Sequence, residues 1–421
     1  MGNEGSIQAQ SQSVAIPNTV NIDWTLLLGL GLGHDDKVCC SSRDGHSACS
    51  IESQIYVFGG VLGSSADTPI ESNDLFEFNI DARKWRKIDV KGEIPKPRSG
   101  STMVSVENKL YLFGGLSQNV GWFDDLNVFD IKTETWSRIT DACGPAPSSR
   151  DKLSSVAINK IIYFFGGFGP HSMDDSLSQG SQDDDDWEDM EDEEARGPSA
   201  NFGWFDDVYT FDTEENKWEL ITPIKLHAPS PRAAHTMCSV GDKIIIFGGR
   251  DSKSRRNDLY ILNTTEKKWL QVNTQGTPPV ARSFHGMVSV GKRIVVIGGR
   301  GEDNQHFNDC HILNTETMEW LQPSNKGSLP EPRGSHTLTN AGDSVLMFGG
   351  TSEFDTKIMQ CTKYHSDVCI LNTADILSGG AIPKEEEKEN NKTVDNVQES
   401  ESQVMMKENA VKVDEDTNNE V

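Results

Sequence analysis

The sequence predicts an all-β protein, built as a six-bladed β-propeller. Three observations support this prediction. An apolar, β-branched run that ends in two glycines occurs six times, most copies follow one another at about fifty residues, and five copies contain a tryptophan after the glycines. A repeat of about fifty residues with room for four short strands is typical of a propeller blade.

The glycine pairs define the copies, because each closes a stretch such as "IYVFGG" or "IIIFGG". The first glycines of the pairs are Gly59, Gly114, Gly166, Gly248, Gly298 and Gly349. Their spacings are 55, 52, 82, 50 and 51 residues, so the third copy is longer than the others by about thirty residues. We interpret the acidic stretch at about 171–200 as an insertion within that copy. Since glycine has no Cβ, the pairs suit turns with no room for a side chain.

Two further landmarks flank each glycine pair. An arginine precedes every pair, at Arg43, Arg98, Arg150, Arg232, Arg282 and Arg333. A "DL"- or "DV"-like run follows, and then a tryptophan at Trp85, Trp136, Trp218, Trp269 or Trp320. Each copy therefore predicts four strands: after the arginine, at the glycine pair, at the "DL" run and at the tryptophan. Glycine pairs with a later tryptophan are typical of kelch repeats, and we expect the indole to fill the space between blades.

The sixth copy has no tryptophan strand, but the N-terminal stretch "NIDWTLLL" contains a spare one, Trp24. We predict that this stretch completes the last blade and removes its exposed edge; a disordered leader is the alternative. The predicted organisation is a flexible N-terminus at 1–20, a kelch propeller at 21–377 with its acidic insertion, and a disordered acidic tail at 378–421, since low hydrophobicity and high charge oppose folding.

Composition narrows the function classes. The net charge is −26, of which residues 171–196 supply −11 and residues 384–421 supply −7. A net-negative chain argues against nucleic-acid binding, which needs phosphate neutralisation. The eight cysteines form no CxxC pair and no signal sequence is visible, which favours the cytoplasm, the nucleus or both. No stretch is suited to cross a membrane. The start "MGNEGS" fits the N-myristoylation pattern; an unmodified N-terminus is the alternative.

The sequence predicts a non-enzyme without metal or cofactor, because no nucleophile–base pair, metal shell or phosphate cradle stands out. Histidines recur at matching positions, which favours a packing and hydrogen-bonding role: His46, His235, His285 and His336. The acidic run "DDDDWEDMEDEE" lacks the alternating ligands and the glycine of a calcium loop. A solvated acidic loop is the simpler interpretation.

One face of the propeller is predicted to gather an anion-binding group. The start of a first strand, the end of a second and the start of a third lie at the same face of a blade. The residues expected there are Arg250, Arg255, Ser283, Lys152, Phe168 and Trp204, with Lys152 taken as the counterpart of Ser283 in copy three. Guanidinium groups beside aromatic walls suit a carboxylate or phosphate on an extended ligand. The alternative is that these arginines only balance the acidic insertion; Arg300 fills the same slot as Arg250 with no second arginine nearby in the sequence.

At these residues the chain resembles the kelch-domain substrate receptors of cullin–RING ubiquitin ligases that read C-terminal glycine degrons. The resemblance covers roughly 40–375 and is carried by "RDKLS", "FFGGFG", "GWFDDVYTFDT", "PSPRAAHT", "FGGR" with "RRNDLYILN", and "ARSFH". It implies that a diglycine-like C-terminus enters the propeller's mouth. The implied roles are carboxylate binding by Arg250, Arg255 and Ser283, backbone bonding by Lys152, and walls formed by Trp204, Phe168 and Phe284.

The chain departs from that family's pattern in three ways. Phe168 and Phe284 stand where tyrosine and tryptophan are typical, and Ser335 stands where a further tryptophan is expected. The helical box that docks the elongin–cullin adaptor is not visible after the propeller. The first interpretation is thus a C-terminus-binding module, as the receptor of a ubiquitin ligase; the alternative is a kelch scaffold for cytoskeletal or trafficking partners.

Overall fold

The computed structural model describes residues 20–28, 39–63, 70–171, 201–224 and 227–378. The chain divides into two units, 1–379 and 380–421, and all of the described residues belong to the first. The predicted flexible N-terminus, acidic insertion and acidic tail, and the myristoylation pattern, lie outside the described residues except at their borders. At those borders Val20 is buried, His171 ends a strand and Ser378 ends a helix.

Short strands make up most of the described residues. In chain order these strands are β1 (Asn21–Leu27), β2 (Arg43–Asp44), β3 (Ser47–Ile51), β4 (Gln54–Phe58), β5 (Val61–Leu62), β6 (Ile70–Glu71), β7 (Leu75–Asn79), β8 (Lys84–Lys87), β9 (Lys91–Gly92), β10 (Thr102–Val106), β11 (Lys109–Phe113), β12 (Leu116–Ser117), β13 (Gly121–Trp122), β14 (Leu126–Asp130), β15 (Thr135–Arg138), β16 (Ser154–Ile158), β17 (Ile161–Phe165), β18 (Phe168–His171), β19 (Asn201–Trp204), β20 (Val208–Asp212), β21 (Lys217–Ile221), β22 (Thr236–Val240), β23 (Lys243–Phe247), β24 (Leu259–Asn263), β25 (Lys268–Val272), β26 (Gln275–Gly276), β27 (Gly286–Val290), β28 (Arg293–Arg300), β29 (His306–Asn314), β30 (Glu319–Leu321), β31 (Ser324–Gly327), β32 (Thr337–Ala341), β33 (Ser344–Phe348), β34 (Thr351–Asp355), β35 (Gln360–Tyr364) and β36 (Val368–Asn372). One short helix, α1 (Thr373–Ser378), follows the last of them.

The larger sheets repeat one design. Within the described ranges, they have the strand orders β3-β4-β7-β8, β10-β11-β14-β15-β9, β16-β17-β20-β21, β22-β23-β24-β25, β27-β28-β29-β30-β26 and β32-β33-β36-β1-β31. Four neighbouring strands of each sheet pair in antiparallel fashion, and the outermost β9, β26 and β31 add to three sheets in parallel. Small hairpins such as β12-β13, β18-β19 and β34-β35 connect second and third strands. The prediction of an all-β propeller architecture is confirmed.

The first strands of these sheets surround a common axis. They neighbour one another in a closed cycle from β3 through β10, β16, β22, β27 and β32 back to β3. Backbone bonds at the glycine pairs follow the same cycle: Gly249 N–H donates to the Arg282 carbonyl at 2.9 Å, and Gly350 N–H returns to the Arg43 carbonyl at 2.8 Å. Gly249 has a φ of 91°, and a Cβ there would lie 2.7 Å from that of His235. The pairs are glycines because this turn has no room for a side chain.

The N-terminal strand completes the sheet of the last copy, as predicted. Strand β1 pairs with β36, with Trp24 opposite Leu371, and the indole is buried in the core. The indoles of the other copies pack against the phenylalanine that precedes the glycines of the neighbouring copy. Trp136, for example, meets Phe58 edge-on at 5.4 Å between ring centroids. This packing between adjacent sheets is the role predicted for the tryptophans.

The arginine that precedes each glycine pair is a structural element. All six are fully or almost fully buried, and each donates to the carbonyl of the first glycine in its own copy. In five copies the arginine also pairs with the aspartate of the "DL" run at 2.5 to 2.7 Å, as in Arg232 with Asp258. The sequence analysis identified both landmarks but did not predict that they pair.

Candidate functional site

A closed ring of six backbone hydrogen bonds surrounds the mouth of the channel. Its members are the residues two positions after each structural arginine: Gly45, Gly100, Lys152, Ala234, Phe284 and Ser335. Each N–H donates to the carbonyl of the preceding member, at 2.7 to 3.2 Å, and Gly45 closes the ring onto Ser335. All six have φ between 53° and 65° and line a cavity of about 510 Å³. Four of them carry side chains in the left-handed conformation, which is uncommon.

This ring corrects one detail of the sequence analysis. Lys152 is the counterpart of Phe284, since both are ring members, and Ser283 lies one residue before the ring. The true counterpart of Ser283 in copy three is Asp151, which pairs with Phe168 as Ser283 pairs with Arg300. A shift of one residue turns a side chain to the other side of an extended backbone. Lys152 and Ser283 are therefore not equivalent: Lys152 lines the cavity, and Ser283 is fully buried one residue before the ring.

A second set of six positions follows the glycine pairs. These residues are Val61, Leu116, Phe168, Arg250, Arg300 and Thr351, and each pairs with the residue that comes directly after a structural arginine. The side chains are apolar in the first three copies and cationic in the fourth and fifth. The same backbone position therefore has different side chains around the propeller, with arginines in two neighbouring copies.

Arg255 and Ser283 meet, as predicted. Arg255 Nε donates to Ser283 Oγ at 3.0 Å, and both residues are buried. Arg250 belongs to the same group, because its backbone bridges to both Ala233 and Arg255. The three residues for which the sequence predicts carboxylate binding thus come together from copies four and five.

The Arg255 guanidinium has further partners in the loop between β28 and β29. Its two Nη atoms donate to the Glu302 carbonyl at 3.4 Å and to Asn304 Oδ1 at 3.1 Å. The exposed Glu302 carboxylate lies 3.9 Å from Arg255 Nη1 and accepts the Arg255 backbone N–H at 3.1 Å. Burial and the positive charges of Arg300 and Arg250 lower the pKa of Arg255 to about 10, and Glu302 opposes this shift. The guanidinium stays charged near neutral pH, but among like charges.

Arg300 is a third arginine of this group, and the sequence analysis did not include it among the site residues. Its guanidinium lies 5.3 Å from the Phe284 ring centroid and 4.7 Å from that of Phe354, and its side chain lines the cavity. Burial lowers its pKa, Cys361 opposes that shift and Arg250 adds to it. A signal was present in the sequence, because Arg300 occupies the Arg250 slot in copy five. Its proximity to Arg255 arises only when neighbouring copies pack.

Lys152 and the predicted aromatic residues Phe168 and Trp204 come from copy three. Lys152 Nζ donates to the buried carboxylate of Asp151 at 2.7 Å. The Phe168 and Trp204 rings pack edge-on at 5.2 Å between centroids, and their backbones pair in the β18–β19 hairpin. Of the seven predicted site residues, Lys152 and Phe284 line the cavity, and the other five lie outside its lining.

The recurrent histidines pack under the mouth. His46, His235, His285 and His336 are all buried, and burial is the first cause of the lowered pKa of each. His285 Nε2 lies 2.6 Å from Thr236 Oγ1, and its ring packs edge-on against Phe247. These contacts agree with the packing role that the sequence predicts.

The described residues offer no candidate for a metal site or a membrane-spanning helix. Within the described residues, no cluster of three or more His, Cys, Asp or Glu side chains is suited to hold a metal ion. Over the same ranges, no helix combines the length and the apolar character of a membrane span.

Comparison with known proteins identifies the family of this propeller. The family model of the FBX42 β-propeller domain matches residues 108–320, and that of the Attractin/LZTR1 β-propeller matches 34–178. Kelch domain-containing protein 2 of Bos taurus is 33% identical over 327 residues, which cover 75% of this chain and 77% of the relative. Kelch domain-containing protein 1 of Homo sapiens is 31% identical over 351 residues, with 80% and 83% covered. Kelch domain-containing protein 3 of Rattus norvegicus is 25% identical over 328 residues, with 74% and 78% covered. The chain therefore belongs to the kelch β-propeller family that includes kelch domain-containing proteins 1 and 2.

Proposed function

We propose that this propeller is a non-catalytic module that binds the C-termini of other proteins at its mouth. A kelch propeller of this family fits a protein-binding module. The single observation that supports the finer proposal is the contact of Arg255 Nε with Ser283 Oγ at 3.0 Å, with a second arginine, Arg250, joined to Arg255 through the backbone. Arg250, Arg255 and Ser283 would hold the terminal carboxylate.

The chemistry of the mouth suits a chain end with small residues. A carboxylate accepts two parallel hydrogen bonds from a guanidinium, and nearby apolar rings strengthen such bonds by excluding water. Phe284, and the Phe168–Trp204 pair, would provide these walls, and Lys152 would donate to the peptide backbone. A terminal diglycine fits because it brings its carboxylate close without side chains that collide with the walls. An internal segment of a protein has no such carboxylate.

The direct test compares matched peptides that end in Gly-Gly, with either a free carboxylate or a C-terminal amide. We expect the free acid to bind and the amide to lose measurable affinity, because losing one partner of a desolvated charge pair costs about 2–5 kcal/mol. Fluorescence anisotropy with the full chain measures both. Equal affinity for the two peptides would remove the basis of the proposal.

The second part of the proposal is that this module serves as the substrate receptor of a cullin–RING ubiquitin ligase, in the cytoplasm, the nucleus or both. It rests on the resemblance carried by the sequence motifs. Affinity purification of the full chain from cells, followed by mass spectrometry, tests it. Recovery of elongin and cullin supports the receptor role, and their absence alongside bound client proteins would leave C-terminus binding without ligase membership.

A scaffold for cytoskeletal or trafficking partners is the other candidate, and exposed apolar side chains favour it. Leu220 on β21, Leu270 on β25 and Ile224 are between 41% and 58% exposed, and the Ile224 segment pairs with β25. A partner bound to these outer strands would not depend on the mouth. Substitution of Leu220 and Leu270 by serine should then release partners that Arg255→Ala retains.

A further inference from the structure

Arg300, which is partly buried, differs from the five arginines that pair with aspartates in how its charge is held. The arginines of five copies each pair with an aspartate, and Arg255 lies near Glu302. No aspartate or glutamate of the described ranges forms an ion pair with Arg300. Its guanidinium is held by the Phe284 and Phe354 rings, and Cys361 is its other polar neighbour. Aromatic faces orient a cation, and hydrogen bonding to Cys361 uses only part of the five N–H donors of the guanidinium.

The position of Arg300 makes these donors available to a ligand. The side chain is only partly buried and lines the cavity beside Phe284. Its backbone exchanges two hydrogen bonds with Ser283, at 2.8 and 3.0 Å, and Ser283 Oγ in turn contacts Arg255. Arg300 and Arg255 therefore both contact Ser283, Arg300 through its backbone and Arg255 through its side chain, and each guanidinium is a separate donor of planar hydrogen-bond pairs.

One carboxylate cannot satisfy this set of groups. Arg255 has the Glu302 carboxylate 3.9 Å away and would take the terminal carboxylate, whereas Arg300 has no acidic ion-pair partner among the described residues. A terminal carboxylate adds one negative charge. A ligand with a second carboxylate would match the remaining charge better, and arginine is the side chain best suited to bind a carboxylate through two bonds.

We propose that Arg300 forms a second anion-binding position, and that the preferred ligands are protein C-termini with an acidic side chain close to the terminal carboxylate. This inference rests on the proposed function and deepens it. Neighbouring strands are about 4.8 Å apart and an extended residue spans about 3.3 Å. An aspartate or glutamate within the last four residues of an extended peptide can therefore reach Arg300 while the terminus lies at Arg255.

The test uses four versions of one peptide: a free carboxylate or an amide, combined with Glu or Gln at a chosen position. The position is moved through the residues before the last glycine. Wild-type protein should prefer Glu over Gln at one position by about fivefold to tenfold, between the effects of an exposed ion pair and of a buried charge-assisted bond. The preference should shrink as salt rises, because salt screens partly exposed charges.

Two variants assign the preference to Arg300. R300M should abolish the Glu preference and still distinguish the free acid from the amide, whereas R300K should retain part of the preference. R138M, at an exposed arginine on β15, should leave both preferences unchanged. Thermal unfolding checks that the variants fold. If R300M does not fold, the proposal is judged by the Glu and Gln affinities of the wild type and by their dependence on salt.

The outcomes separate this inference from the proposed function. If the free acid is required but Glu and Gln bind equally at every position, the second anion-binding position is refuted and C-terminus binding stands. A Glu preference that survives in folded R300M also refutes the role of Arg300. If no peptide binds, or if the amide binds as well as the acid, both proposals fail together.

Discussion

Two arginine-rich regions of this propeller differ in how their positive charge is balanced. Below the glycine turns, six buried arginines each reach a glycine carbonyl of their own copy, and five of them also reach an aspartate. In the second region Arg250, Arg255 and Arg300 lie near one another, and Glu302 is the acidic neighbour of Arg255. The residue type is the same, but aspartates balance the charge in five copies of the first region, whereas Arg300 in the second region has no acidic ion-pair partner among the described residues.

In this repeat protein the shared features of the six copies are structural, and the copies differ in the side chains at equivalent positions. The six copies share their backbone ring, glycine turns and buried arginines, so these features do not distinguish one copy from another. The side chains at equivalent mouth positions do differ, from Val61 and Leu116 to Arg250 and Arg300. Like charges that lie close together cost stability.

Loss of an arginine–aspartate pair in the first region should reduce stability the most. Arg232→Met removes a guanidinium that donates to Gly248 at 2.9 Å and pairs with Asp258 at 2.6 Å. Because Asp258 and the carbonyl then lose their partner, we expect the free energy of unfolding to fall by about 3–5 kcal/mol. Chemical denaturation measures this loss. Arg300→Met, at the mouth, should cost about 1 kcal/mol or less, the usual size of a cation–π contact; equal losses would contradict the distinction between the regions.

The next effect concerns affinity and not stability. Arg255→Ala should weaken binding of a free Gly-Gly terminus by about 2–5 kcal/mol, since the carboxylate would lose a desolvated partner. Isothermal titration calorimetry measures it. Arg255→Ala should also erase the difference between acid and amide peptides, which a merely structural defect would not do.

The matched control for that variant is its neighbour in the chain. Arg256 Nε donates to Asp251 at 2.6 Å, so its charge is already balanced within the loop. Arg256→Ala should change the affinity by less than about threefold, because the buried Asp251 keeps its bonds to Ser230 and to the backbone N–H groups of Lys253 and Ser254. A loss equal to that of Arg255→Ala would indicate that loop order, and not the guanidinium at Ser283, controls binding.

Much of the fold could be predicted from the sequence because the repeat is regular. The glycine pairs, the tryptophans and the orphan Trp24 strand are strong local signals, and all three act as predicted. The parallel outer strands β9, β26 and β31 were missed. Such strands are two to four residues long and contain residues such as Lys91 and Gly92, which carry no alternating apolar pattern. The short helix α1 was missed for the same reason.

The site could be predicted only in part, because it depends on neighbours that are distant in sequence. Strand direction was enough to bring Arg255 and Ser283 together. It was not enough to include Arg300, whose ring partner Phe354 comes from the next copy. It also failed to distinguish Ser283 from the ring position one residue later, since a single step along the chain reverses the direction of a side chain.

The Glu302 carboxylate should have a small effect on the affinity for a free terminus. The Glu302 carboxylate is 58% exposed and lies 3.9 Å from Arg255 Nη1, so it partly offsets the charge that a ligand would meet. Glu302→Gln keeps the shape and removes the charge, and should strengthen binding of a free terminus by about twofold to fivefold, as for other exposed ion pairs. Glu316→Gln makes the same change of net charge at the far end of β29, where Glu316 pairs with Lys292, and should have no effect. If both variants strengthen binding equally, the gain reflects the overall charge of the protein. If only Glu302→Gln does so, and only for peptides with a free carboxylate, Glu302 and the ligand compete for the same guanidinium.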